Sequence, residues 1–293
     1  MSPDVAGQGR LVLVATPIGN LGDLAPRARQ VLAEATLIFC EDTRRTRALL
    51  SALGIGAGDR LVSLHRHNEA AGADRIAAAV AGGALVAVVS DAGTPGISDP
   101  GALVAARLAA QGEVVTTVPG PSSVVAALTV SGLPTDRFVV EGFLPRKGSE
   151  RRRRVAALLA DERTSVVLEA PGRLSATLEE LAAIDPGRPV TVVRELTKLH
   201  EEVWRGTAAD AATEFGAREV RGEVVLVIGG ASAPEPADDD ALEAAVRAVW
   251  ADEPSAGPRQ VADRVAATLG VARRRAYEAA LRLRGGGAGS GSA

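Results

Sequence analysis

The chain has 293 residues, enough for one or two ordinary domains and an appendage. Hydrophobic residues make up 46% and the net charge is −3, so a real core is possible and bulk charge does not mark a nucleic-acid binder. One cysteine, Cys40, excludes a disulfide framework within the chain and reads as a buried thiol. Aromatic residues at 2% argue against a broad stacking surface for single-stranded nucleic acid. The opening "MSPDVAGQGR" lacks the apolar segment of a secretion signal, and no apolar run reaches the ~20 residues of a membrane span. The expectation is a soluble cytoplasmic protein with no membrane partner.

In chain order, short β-branched runs at residues 11–15, 36–40, 61–64, 85–89 and 114–118 predict strands. Alanine- and leucine-rich patterns at 26–35, 43–53, 70–81 and 100–110 predict the helices between and after them. Near-continuous apolar strands separated by helices argue for a mostly parallel sheet covered on both faces. Asp99 reads as an N-cap ahead of Pro100, and Gly112 as the residue just past that helix. This first α/β domain takes residues 1–119. A second, mixed α/β domain takes residues 120–230, with helices at 122–131, 150–160 and 173–183. Its strands are expected at 138–141, 165–169, 190–194, 198–206 and 222–230. Residues 231–240, "ASAPEPADDD", read as a linker. Helical patterns at 241–251, 258–269 and 272–284 predict a small helix-turn-helix-like module over 241–284. Residues 285–293, "GGGAGSGSA", read as a flexible tail.

Four polar loops follow first-domain strands: "TPIGNLGD" (16–23), "EDTRRT" (41–46), "HRHNE" (65–69) and "SDAGTPGISDPG" (90–101). The carboxyl edge of an open parallel sheet is where ligands bind. Glycine there lets backbone approach a small molecule closely, and exposed amides can hold a carboxylate or phosphate. No loop reads GxxxxGK[ST], and no GxGxxG follows the first strand, so neither a P-loop nor a standard dinucleotide site is supported. His65 and His67 alternate beyond a strand, but zinc needs further ligands, so no metal is expected and a polar substrate wall is the better reading. Glu41 and Asp42 are either acid–base machinery or anchors for Arg44 and Arg45. The run "RKGSERRRR" (146–154) opens a helix with charge that the helix dipole disfavours. Lys147, Arg151, Arg152, Arg153 and Arg154 are therefore either phosphate contacts or a solvated face. Arg273, Arg274 and Arg275 open a basic amphipathic helix in the tail module.

The motifs "TPIGNLGDL", "EDTRRT", "LHRHNE", "SDAGTPGISDPG", "PGPSS", "GLPTDRFVVEGFLPRKG", "RELTKLHEE" and "GEVVLVI" stand in this order and spacing. In this the chain resembles the ribosomal RNA small subunit methyltransferase I family, within the tetrapyrrole methylase superfamily. The resemblance covers residues 11–230, and the helical tail also fits. It implies two α/β domains of the tetrapyrrole methylase type with a cofactor cleft between them and a small C-terminal helical module. It implies S-adenosyl-L-methionine as cofactor, 16S rRNA of the small ribosomal subunit as partner, and a homodimer. Asp91, Ala92, Gly93 and Thr94 would line the methionine side of the cofactor, with Ser122 and Ser123 near its other side. Glu169 and Ala170, with Pro171, would lie near the adenosine. Many relatives carry an aromatic residue before that glutamate and a histidine before the following arginine; here those positions are Leu168 and Gly172. Pro17, Gly19 and Asn20 would face the transfer site.

The reaction so implied moves a methyl group to the ribose 2′-oxygen of a cytidine in the decoding region. An activated donor leaves positioning to supply much of the rate, and a nearby base would take the hydroxyl proton. His67, Glu41 and Asp42 are the candidates for it. Arg44, Arg45, Lys147 and the residues of the two arginine runs, Arg151 to Arg154 and Arg273 to Arg275, are candidate RNA contacts. Two other readings compete. A methyltransferase for a tetrapyrrole or other small molecule would leave the arginine runs idle. A DNA-binding regulator using the tail would leave the glycine loops unexplained.

Overall fold

The computed structural model describes residues 9–231 and 238–286. Two compact units divide the chain, Met1–Ala231 and Ser232–Ala293.

The first unit begins with five parallel strands: β1 (Arg10–Val14), β2 (Leu37–Cys40), β3 (Leu61–Ser63), β4 (Leu85–Val89) and β5 (Val114–Val118). Their order across the sheet is β3-β2-β4-β1-β5. Between and after them run α1 (Pro26–Glu34), α2 (Thr43–Ala52), α3 (Glu69–Ala81) and α4 (Ala102–Ala110). Strand side chains alternate between faces, and both faces are apolar. Val12, Val14, Ile38, Cys40, Ala87 and Val89 pack with Ala28, Val31 and Leu32 of α1 and Leu50 of α2. Leu11, Phe39, Val86 and Val88 pack with Ala73, Ile76 and Val80 of α3 and Val104 and Leu108 of α4. Connections running one way across the sheet carry their helices over one face, and connections running the other way over the opposite face, as right-handed crossovers require.

The start of α4 departs from the sequence reading. The helix opens at Ala102 with Gly101 as its N-cap at φ 134°, so Asp99 caps nothing. The cause is local and tertiary together. The Gly96 amide donates to the Pro100 carbonyl at 3.2 Å, and the Gly101 amide donates to Oε1 of Glu69 at 2.8 Å. Those bonds keep Ser98, Asp99 and Pro100 in the loop. At the other end Gly112, φ 77°, ends the helix as expected.

A second sheet follows α5 (Ser123–Ser131). Its strands are β6 (Phe138–Phe143), β7 (Thr164–Glu169), β8 (Pro189–Arg194), β9 (Glu202–Thr207) and β10 (Val224–Ile228). Their order is β6-β7-β10-β8-β9, with only the β6–β7 pair parallel. Its other helices are α6 (Gly148–Ala160), α7 (Leu174–Ile184) and α8 (Ala208–Gly216). One face packs on Val124, Ala127 and Leu128 of α5. The other packs on α6, α7 and α8 through residues such as Val155, Leu178 and Phe215. The strand expected over 198–206 is shorter at its start, because Lys198 to Glu201 form a turn closed by the Lys198 and Glu201 amides.

The second unit has α9 (Asp239–Asp252), α10 (Pro258–Leu269) and α11 (Arg273–Gly286). Leu242, Val246, Val261, Val265, Ala276 and Ala280 form its core. Gly270, φ 64°, ends α10 in the left-handed conformation and turns the chain toward α11. The helix expected to stop at 284 reaches Gly286. Most of the expected linker and tail, residues 232–237 and 287–293, lies outside the described residues.

Buried Arg188 ties the second sheet to its surroundings. Its guanidinium donates to the Gly229 carbonyl at 3.0 Å, the Leu159 carbonyl at 2.8 Å and the Asp185 carboxylate at 2.9 Å. Arg188→Met keeps the apolar stem and leaves two buried carbonyls without a donor. We expect a loss of ~2–4 kcal/mol in urea unfolding. A loss under about 1 kcal/mol would show that water replaces the guanidinium at little cost.

Candidate active site

Neighbouring strands β1 and β4 send their chains to opposite faces, β1 into α1 and β4 toward α4. Their outgoing loops therefore part and leave a crevice at the carboxyl edge, the switch point of an open α/β sheet. The two loops are joined at its base. The Thr16 amide donates to the Gly93 carbonyl at 2.9 Å, and the Gly93 amide returns a bond to the Thr16 carbonyl at 3.0 Å. The Thr16 hydroxyl donates to the Ser90 carbonyl at 3.2 Å. Gly93 has φ 83°, and a Cβ there would lie 3.4 Å from Cγ2 of Ile18. One residue on, the Thr94 hydroxyl donates to the Pro121 carbonyl at 3.1 Å, which fastens this loop to the entry of α5.

The facing wall comes from the second sheet. Antiparallel pairing sets Val224 of β10 opposite Glu169 of β7. The cleft measures about 390 Å³, within the roughly 300–1,000 Å³ usual for small-molecule sites. Asp91, Ala92, Ser98, Asp99 and Arg45 form its polar side; Leu168, Ala170, Val224, Val225, Ile18 and Ile97 form much of the rest. Glu169 lines it too, but its carboxylate is turned inward. The side chain is 0% exposed and forms an ion pair with Arg173 at 3.2 Å. It accepts bonds from the Ala170 amide at 2.9 Å and the Thr177 hydroxyl at 2.7 Å.

Of the residues singled out for the cofactor, Asp91, Ala92, Ser123, Glu169 and Ala170 line this cleft. Others build its frame. Gly93 and Thr94 do so through the bonds above. Asn20 accepts the Gly22 amide at 2.9 Å, and Ser122 caps α5. Gly19 packs on the loop after β8, where a Cβ would meet Lys198 Cγ at 2.4 Å. Ile18, between Pro17 and Gly19, is the residue of that loop that reaches the cleft. Sequence reasoning missed Ile18, Ile97, Ser98, Asp99, Phe143 and the stretch from Gly222 to Val225. The motif "GEVVLVI" was visible, but only the pairing of β10 with β7 brings its first residues to the cleft.

Charges sort the proposed acid–base and arginine residues. Asp42 caps α2, accepting the Arg44 amide at 2.8 Å and its guanidinium at 3.1 and 2.8 Å. Those bonds hold its carboxyl well below the usual carboxylate range. Of the two readings of Asp42, this geometry favours the anchor for Arg44, because a carboxylate already paired with a guanidinium is a poor proton acceptor. Asp91 accepts the Asp42 amide at 3.0 Å and faces Arg45 at 3.4 Å. Arg45 thus points to the cleft. Glu41 and His67 are exposed, and His67 lies edge-on to His65 with ring centroids 5.9 Å apart. Asp99 is half-buried, and its carboxyl is pushed up to about 6. Burial is the main cause; the neighbouring charges of Glu41 and Asp91 add to it, against the Ser90 hydroxyl and Arg66.

Arg151 corrects the sequence reading. It is buried, paired with Glu180 at 2.7 Å, and donates to Thr177 at 2.9 Å and to the Pro145 carbonyl at 3.1 Å. Its guanidinium closes the protein's own network and is not presented to a ligand. Arg152 and Arg153 are exposed, while Arg154 forms an ion pair with Glu141. Lys147 stands exposed at the N-cap of α6. In the tail unit Arg273, Arg274 and Arg275 pair with Asp263, Glu278 and Asp239 at exposed positions. Such surface pairs are worth little and exchange readily for other anions.

Arg151→Ala would leave the Glu180 carboxylate and Thr177 without their partner. We expect a loss of about 3 kcal/mol in denaturant unfolding, against less than about 0.5 kcal/mol for Arg152→Ala at the exposed neighbour. Equal effects would return Arg151 to the exposed set.

Residues 10–212 match the family of Tetrapyrrole (Corrin/Porphyrin) Methylases. Ribosomal RNA small subunit methyltransferase I of Xylella fastidiosa (strain Temecula1 / ATCC 700964) is 48% identical over 238 residues, covering 80% of this chain and 85% of that protein. Its namesake in Thermotoga maritima is 42% identical over 222 residues, covering 76% of this chain but 99% of its own length. Among solved structures, uroporphyrin-III C-methyl transferase of Thermus thermophilus complexed with S-adenyl homocysteine superposes with a TM-score of 0.52 at 26% identity. That match covers 75% of this chain and 97% of the other. The chain belongs to the ribosomal RNA small subunit methyltransferase I family of the tetrapyrrole methylases.

Proposed function

We propose that this chain is an S-adenosyl-L-methionine-dependent methyltransferase acting on the small ribosomal subunit, and that it methylates the ribose 2′-oxygen of a cytidine in the decoding region of 16S rRNA. The observation that carries the reading is the crevice between the β1 and β4 loops, closed on its far side by β7 and β10. The residues present fit the cofactor. Leu168, Ala170, Val224 and Val225 give an apolar wall for an adenosine. Asp91 and Arg45 place opposite charges where an amino-acid zwitterion needs both. A solved relative of this fold carries S-adenyl homocysteine, and relatives 48% and 42% identical bear the name of a small-subunit rRNA methyltransferase.

When bound, S-adenosyl-L-methionine supplies an already activated methyl group, so the protein's task is to bind, orient and remove a proton. Asp91 and Ala92 hold the amino-acid end, with Ser123 near the other side of the cofactor, and the bridge from Thr16 to Gly93 keeps the loop of Asp91 and Ala92 from opening. Exposed Lys147, Arg152 and Arg153 are the proposed phosphate contacts of the first unit, and Arg44 and Arg154 would join them only by releasing Asp42 and Glu141. Residues 1–119 and 120–230 act as two domains sharing the cleft, in a cytoplasmic homodimer. The tail unit, with Arg273, Arg274 and Arg275, docks the substrate. In support, the ion pairs of these three arginines lie at the surface, where phosphate can compete for them.

Three outcomes follow. Purified protein transfers a tritiated methyl group from S-adenosyl-L-methionine to small subunits, and nuclease mapping finds it on a cytidine 2′-oxygen. Label on a base, or on a porphyrinogen alone, refutes the reading. Gly93→Val forces a β-branched residue to φ 83° beside Ile18; calorimetry should find S-adenosyl-L-methionine affinity down at least tenfold in a protein that still folds. Truncation after Ala231 should keep that affinity and the melting temperature of the first unit, while weakening capture of small subunits. Unchanged capture would remove the docking role.

A further inference from the structure

Asp99 occupies a segment that the fold holds with unusual care. Ser98 sits in the left-handed region at φ 65°, a conformation that costs a non-glycine residue. Three bonds fix the turn. Nη2 of Arg66 donates to the Ser98 carbonyl at 2.8 Å, and the Gly96 amide donates to the Pro100 carbonyl at 3.2 Å. The Glu69 carboxylate takes the Gly101 amide at 2.8 Å. From the second sheet, β6 comes close at Gly142, where any Cβ would lie 3.4 Å from the Ser98 hydroxyl. The outcome is one acidic side chain, half-buried, lining the cleft beside Asp91 and Ala92.

Of the other acids that line the cleft, Glu169 is turned inward to Arg173 and Glu223 is paired with Lys198 at 3.1 Å. Asp42 is committed to Arg44 and the start of α2. Asp91 is committed to the Asp42 amide and Arg45. Glu41 and His67 are exposed and do not line the cleft. The groups facing Asp99 are Glu41 and Asp91, which repel its charge, and the Ser90 hydroxyl and Arg66, which favour it. Glu69, nearby on α3, is already occupied by the Gly101 amide.

We propose that Asp99 is the general base that accepts the proton of the ribose 2′-hydroxyl. The inference rests on the 2′-O-transfer reading above. The hydroxyl proton passes to a carboxylate oxygen of Asp99. The electron pair left on the ribose oxygen forms the new bond to the methyl carbon, and the carbon–sulfur pair stays on sulfur, which becomes neutral. Half-burial among like charges raises the carboxyl to about 6, close enough to neutrality to be both ionised and basic.

The sign of the linkage gives a readout independent of turnover. A carboxyl raised from 3.8 to about 6 binds its proton more tightly in the folded chain. Its contribution to stability is therefore present below pH 3.8 and lost as the pH rises through 6. At pH 7.5 Asp99→Asn should melt at or above the wild type. That advantage should fade between pH 6 and 4.

The test compares wild type, Asp99→Asn and Asp99→Glu on small subunits lacking the modification. The wild-type rate should rise with pH through a limb near 6. Asp99→Asn should lose ~10²-fold or more of kcat and lose that limb. It should keep S-adenosyl-L-methionine affinity within about twofold by calorimetry, and Asp99→Glu should recover part of the rate with a pH limb. An Asp99→Asn rate within about threefold of wild type, or an unchanged limb, overturns the proposal. So does a tenfold loss of cofactor affinity, which would make Asp99 a binding residue. Wild type without any 2′-O-methylated product overturns the reaction reading itself, and is thereby distinct from an active wild type matched by its variant.

Discussion

The structure depends on one topological constraint: β1 and β4 lie side by side but continue to opposite faces of their sheet. Parallel strands joined by right-handed crossovers cannot avoid parting there. Two loops that diverge would leave backbone amides without partners, and the pair of bonds between Thr16 and Gly93 repairs this at the base of the crevice. Only glycine takes φ 83° there without strain. The Thr94 bond to Pro121 then passes the position of the loop to α5 and so to the second sheet. A cleft wall on one sheet is thus registered to the wall on the other by few, short hydrogen bonds.

The second wall is held by a buried polar chain. Arg173, Glu169, Thr177, Arg151 and Glu180 follow one another by hydrogen bonds and ion pairs, with the Glu169 carboxylate at the centre. A charge so buried must be paired, and a partly satisfied network would cost more than an apolar one. The return is geometric. β7 ends where Glu169 is anchored, and the next residues, Ala170 and Pro171, meet the cleft in a fixed place. On the opposite side Asp99 is half-buried, near the charges of Asp91 and Glu41, with Arg66 offsetting only part of their effect. That arrangement raises the Asp99 carboxyl and gives up some stability, as active sites commonly do.

The arginine run of α6 divides by helix geometry. Four consecutive residues sweep around a helix, so they cannot all face one partner. Arg151 turns in to Glu180, Arg154 turns to Glu141, and Arg152 and Arg153 face out. The charge that looks costly at a helix start is partly matched inside the protein.

Periodicity in the amino-acid sequence determined most of the architecture. Runs such as "LVLV", "LIFC" and "LVAVV" have no polar face, so they must be covered on both sides, and the helices between them supply the cover. Glycine at 93 and 112, and the polar loops after β1, β2, β3 and β4, were legible for the same reason: few residue types tolerate those conformations or that exposure. The chain order of the motifs also carried the family. What the sequence could not hold is which side chains meet across long separations. Asp99 before Pro100 has the local chemistry of a helix cap, but the Gly96–Pro100 bond and the long-range bonds of Arg66 to Ser98 and of Gly101 to Glu69 keep it in the loop. Asp42 beside Glu41 reads equally as acid–base machinery or as an anchor for Arg44, and only the fold shows Arg44 turned back on it. Residues 222–225 enter the cleft because β10 pairs with β7, some fifty residues away in the chain. Local preference acts through the backbone over a few residues, whereas burial, ion pairing and the resulting basicity belong to the assembled surfaces, and those only tertiary structure decided.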